Sequence, residues 1–156
     1  MGVGLLSHVE INVSDLERSR AFWGWLLPEL GWEPYQSWPT GVSWRLASQY
    51  LVFCQVEPRF RLHGPFHRRR VGLNHLAFAV GCEAIVDRVV EQLPLWGTQL
   101  LYPERHPHAG GAGYYGAFFE DPDRIKVEVV VQRYDGATER RPGAIPGAVT
   151  RCPDAR

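Results

Sequence analysis

The chain has 156 residues, 45% hydrophobic and 22% charged, which suits one compact domain or two small similar halves sharing an interface. Seventeen basic residues balance seventeen acidic ones, so nothing advertises a nucleic-acid or anionic-membrane partner, and neither is expected. The start lacks a secretory pattern, no run approaches the roughly 18 apolar residues of a spanning helix, and the three cysteines lack CxxC spacing, so a cytoplasmic protein with reduced thiols is expected.

Residues 5–13 alternate, with Val9, Ile11 and Val13 on one face and His8, Glu10 and Asn12 on the other, the pattern of a half-buried strand. Ser14-Asp15 supplies helix-capping chemistry, and apolar residues at Leu16, Phe22, Trp23, Leu26 and Leu27 predict a helix ending near Pro28 and Gly31. Trp23 and Trp25 are two apart on that helix and cannot share a face, so one of them is expected to meet the other half or a second subunit. Short β-prone runs follow at 32–35, 42–46 and 50–56. The first half, residues 1–58, therefore reads βαβββ. Residues 59–71 are rich in proline and arginine and read as a linker; Arg68-Arg69-Arg70 reads as a solvated loop or as a contact for an anionic substrate group.

The opening pattern then returns. Residues 73–80 overlay residues 6–13 with leucine on leucine, His75 on His8 and valine on valine, at a constant offset of 67 (75 − 8). A helix over 83–95, a strand over 98–102 and a hairpin over 114–131, turning at Asp121-Pro122-Asp123, make residues 72–132 a second βαβββ unit. In the last strand Val127, Val129 and Val131 face one way and Glu128 the other. The tail, 133–156, rich in Gly, Pro, Arg and Ala, reads as loosely structured or as an arm over a neighbouring subunit. The fold class expected is α+β, with two paired βαβββ units.

His8, His75 and Glu128 thus fall at strand positions opposite the apolar faces, the two histidines at equivalent places in a repeat. Two neutral imidazoles and a carboxylate bind a divalent ion and leave positions open for substrate, as in facial-triad iron sites; zinc, manganese, nickel or cobalt suits them too. A lone strand histidine is more often structural, but the repeat favours a shared site. His106 and His108 lie in a Gly-rich loop that could close over such a site and supply an acid or base. Tyr114 and Tyr115 could donate a hydrogen bond there, and Glu10 could support it. The set read as catalytic is Glu128, Tyr115 and His108.

These residues carry a resemblance. HVEINVSDLERSRAFW, LNHLAFAV and GYYGAFFEDPDRIKVEVV resemble the vicinal oxygen chelate superfamily, which includes glyoxalase I, extradiol dioxygenases and bleomycin resistance proteins. The resemblance spans about residues 6–131, with Arg124 where a glycine usually follows DPD. It implies a cup-shaped incomplete barrel, often a homodimer, and a divalent metal held at the positions of His8, His75 and Glu128 that chelates vicinal oxygens of a small substrate. The reaction implied is that of an isomerase, lyase, transferase or dioxygenase; the alternative is a non-catalytic protein that sequesters an antibiotic. Isomerase-type members add a fourth ligand from the fourth strand, where Cys54 or, one residue shifted, Gln55 would fall.

Overall fold

The computed structural model describes residues 4–63 and 66–132; the reading of 133–156 lies outside them. Strand β1 (His8–Val13) leads into helix α1 (Leu16–Glu29). Asp15 caps the helix, its carboxylate accepting the Arg18 N–H at 3.0 Å. Strands β2 (Glu33–Trp38), β3 (Gly41–Leu46) and β4 (Gln49–Gln55) complete a sheet in the order β1-β4-β3-β2, with β1 parallel to β4. The second sheet has β5 (His75–Val80), then α2 (Glu83–Gln92), β6 (Gly116–Glu120) and β7 (Lys126–Val131), in the order β5-β7-β6. The α+β class expected is what forms, a cup-shaped incomplete barrel of two sheets and two helices.

The strand expected over 98–102 does not form. A single bridge, Leu101 to Phe118, remains, because Tyr102 turns into the left-handed region at φ 58 and Pro103 behind it has no N–H to extend a ladder. The second sheet is therefore three-stranded. The helix over 83–95 is also shorter than read: α2 stops at Gln92, and Leu93–Trp96 continue as a 3₁₀ turn around Pro94. Cys54 is a free thiol.

Both sheets share one core on their helix side. Ile11, Val13, Leu51 and Phe53 of the first sheet and Phe78, Val80, Val127 and Val129 of the second are buried against Phe22, Trp23, Leu26, Ile85 and Val89. Trp23 stacks on Phe53 at 4.7 Å, while Trp25 stacks on Trp96 at 5.2 Å and donates to Gln92 at 2.7 Å, so the second tryptophan reaches the other half, as the spacing required. The Asp121-Pro122-Asp123 turn pins the second sheet to α1: Asp121 accepts from the Trp23 indole, and Asp123 accepts from Ser14 N–H and pairs with Arg18. The other face of each sheet is more open, with His8, Glu10 and Asn12 exposed on β1 and Ala77 and Ala79 exposed on β5.

Candidate functional site

On the open face of the second sheet, β5 and β7 run parallel, with His75 opposite Lys126 and Ala77 opposite Glu128. Glu128 therefore sits diagonally across from His75, and its Oε2 lies 2.9 Å from His75 Nε2. Glu128 is mostly buried, its side chain 13% exposed against 34% for His75.

Both partners are held from behind. Asn74 Oδ1 lies 2.8 Å from His75 Nδ1, an acceptor for a proton on that nitrogen, and the ring turns Nε2 toward Glu128. Tyr114 donates its hydroxyl to Glu128 Oε1 at 3.1 Å and stacks on Phe118 at 5.8 Å with nearly parallel rings. Burial and then the Glu128 charge hold the Tyr114 hydroxyl well above its ordinary range, so it remains a donor. Gly116 makes room for this ring, since a Cβ there would stand 2.6 Å from the Tyr114 oxygen and 2.7 Å from the Val129 carbonyl.

With Nδ1 protonated, the 2.9 Å contact sets an imidazole lone pair against a carboxylate. It is attractive only with positive charge between them, either a second ring proton or a cation. Two ligand atoms about 2.1 Å from a divalent ion and at right angles lie about 3.0 Å apart, so the pair has the spacing of two adjacent metal ligands. The donor chemistry of His75 and Glu128 fits such an ion.

His8 stands elsewhere. It is exposed on the first sheet, stacked on Tyr50 at 4.5 Å, with Nδ1 3.3 Å from Ser7 Oγ. Among the described residues no group of three His, Cys, Asp or Glu side chains within one chain is placed to hold an ion.

Gln55 is committed to capping α1. Its Oε1 accepts the Leu16 N–H at 2.9 Å, and its Nε2 donates to the Val13, Ser14 and Val56 carbonyls. Cys54 donates to Glu10 at 3.2 Å, and burial, then that bond, push its thiol up to about 11, which keeps it a thiol rather than a thiolate ligand. Register gives the symmetric place directly: Ala77 pairs with Glu128 as Glu10 pairs with Val52, so the first-sheet counterpart of Glu128 is Val52.

Tyr115 and His108 bond to partners other than the His75–Glu128 pair. Tyr115 donates to Asp87 of α2 at 2.6 Å, a bond that raises its hydroxyl to about 12, and His108 bonds the Tyr114 carbonyl through Nδ1 with its ring edge-on to Tyr115. His106 bonds the Gly116 carbonyl at 3.1 Å. Tyr114 is the tyrosine that reaches Glu128. Strand alternation carried that signal, because Tyr114 keeps step with Phe118, which pairs with Glu128, whereas Tyr115 keeps step with buried Phe119. Asn74 was overlooked, although its place next to His75 was visible.

A model of the family described as the Glyoxalase/Bleomycin resistance protein/Dioxygenase superfamily matches residues 7–118, ending short of Glu128. An uncharacterized protein of Bacillus subtilis, YqjT, is 53% identical over 125 residues, covering 80% of this chain and 97% of its own. A crystal structure of a candidate glyoxalase from Bacillus halodurans is 53% identical with a TM-score of 0.79, over 83% of this chain and 96% of that one. The lactoylglutathione lyase of Agrobacterium tumefaciens is 20% identical with a TM-score of 0.56, over 84% and 96%, a likeness of fold alone.

Proposed function

The chain belongs to the glyoxalase/bleomycin resistance/dioxygenase superfamily, and from that premise we propose that it is a divalent-metal-dependent enzyme acting on a small substrate with two adjacent oxygens. The observation that carries the reading is the His75 Nε2 to Glu128 Oε2 contact of 2.9 Å, with Asn74 and Tyr114 fixing both groups.

In this reading His75, Glu128 and His8 hold the metal, and because one chain leaves His8 on the far sheet, His8 comes from a second copy in a cytoplasmic homodimer. The exposed faces of β1 and β5 support that arrangement. A bound divalent ion would supply Lewis acidity toward the substrate oxygens. Asn74, 2.8 Å from Nδ1, orients the His75 ring so that Nε2 faces Glu128. Tyr114 neutralises part of the charge on Glu128 Oε1, and the burial of Glu128 keeps bulk water from it. The antibiotic-sequestering alternative has no use for this mostly buried carboxylate facing an imidazole nitrogen.

Elemental analysis of purified wild type, His75→Ala and His8→Ala proteins tests the reading. About one divalent ion per chain, lost in both variants, is the expected result. A wild-type protein that takes up no ion on reconstitution would refute metal dependence, and retention by His8→Ala would refute the shared site.

A further inference from the structure

Across the first sheet, register sets His8, Tyr50 and Arg45 side by side on three neighbouring strands. Their side chains form a row on the open face: His8 stacks on Tyr50 with ring planes 10° apart, Tyr35 meets Tyr50 edge-on at 5.7 Å, and Arg45 lies 5.3 Å over the Tyr35 ring.

Tyr35 joins the row through a bulge. Pro34 pairs with Trp44 and Gln36 with Ser43, so Tyr35 is the extra residue on β2. Bulges re-aim side chains, and this one leaves a large aromatic ring 45% exposed beside Tyr50. The Arg45 charge is accessible as well. Its ion pair with Glu33 spans 3.8 Å between side chains 52% and 74% exposed, a pair that water screens and that an incoming anion can replace.

We infer that this row is the docking strip for a planar aromatic anion, its ring on Tyr50 and Tyr35, its negative group at Arg45 and its far end at His8. The inference rests on the proposed function, because His8 is where the strip meets the metal site. His8 and Arg45 are two strand spacings apart, about 10 Å, so the anion stands a short spacer beyond the ring. Aromatic faces reward a flat ring and a guanidinium rewards a carboxylate, whereas a small aliphatic hydroxy acid has no ring to stack and is too short to reach from His8 to Arg45.

Calorimetric titration of the full-length, metal-loaded protein with caffeate, catechol and glycolate tests this. Caffeate is expected to bind most tightly. Arg45→Met should lower its affinity about tenfold, toward that of catechol, and Tyr35→Ala should weaken both aromatic probes while sparing glycolate. Equal binding of all three probes, or a caffeate preference that survives both substitutions, would overturn the inference. So would a change of sedimentation behaviour in either variant with probe affinities intact, which would make the row a contact between copies. If His75→Ala leaves caffeate binding intact while Arg45→Met lowers it, the strip stands and the metal-site reading falls.

Discussion

Stability should fall between pH 5 and pH 8 because of Asp121. Its side chain lies at the seam between the sheets, with Oδ1 accepting the Asp123 and Ile125 N–H groups at 2.9 and 2.8 Å and Oδ2 accepting the Trp23 indole at 3.2 Å. Those bonds favour the carboxylate, but burial opposes it more strongly and raises the group from 3.8 to about 7. The folded state thus holds a proton that the unfolded chain releases near pH 4. Protonation stabilises the fold, so this contribution is present near pH 5 and is lost as pH rises through about 7. With these values the loss between pH 5 and pH 8 is about 2.5 kcal/mol. Urea denaturation of wild type and Asp121→Asn at both pH values isolates it. Asparagine keeps an oxygen for the two backbone donors and gives up the Trp23 bond, a cost that is the same at both pH values and cancels in the difference. The variant should lack the wild-type decline by about that amount. An identical pH dependence in the two proteins would refute the assignment of the buried proton to Asp121.

Gln55→Ala removes the acceptor for the Leu16 N–H and the donor to the Val13 and Ser14 carbonyls, and should lower stability by about 2 kcal/mol in chemical denaturation while leaving metal content unchanged. Arg124 sits at φ 67, where glycine is at ease, so Arg124→Gly should raise stability by up to about 1 kcal/mol despite losing an exposed contact to Glu120, as a shift in thermal midpoint will register. Tyr114→Phe frees Glu128 Oε1 without opening a cavity, and should weaken metal binding about tenfold in a competition titration with little change in stability.

The fold was largely legible because its signals were local and repeated. Alternation gave β1 and β5, the Asp-flanked Pro122 gave the β6–β7 turn, and the offset of 67 gave the duplication. What escaped was set by single backbone events, the left-handed Tyr102 and the Pro94 break, which ended elements that propensity would have continued. At the candidate site, the identities of His75 and Glu128 were legible and their contact was not, because a diagonal meeting across parallel strands depends on register. Which of the two tyrosines reaches Glu128 turned on strand parity.

Register also explains why the duplicated halves do not hold duplicate sites. Each open face has kept a histidine at the same place, and each sets a carboxylate against a small apolar residue: Glu128 faces Ala77, and Glu10 faces Val52. The carboxylate has changed strands between the halves. In the second sheet it lies diagonal to the histidine, where the side chains converge and Asn74 and Tyr114 brace them. In the first it shares the histidine's own strand, two residues on, and accepts from Cys54 while His8 stacks on Tyr50. A strand-mate projects parallel to its neighbour rather than toward it, so the first sheet cannot form the same contact without giving up those bonds. That asymmetry leaves His8 free to serve at one end of an aromatic row, and leaves the charged pair to the second sheet.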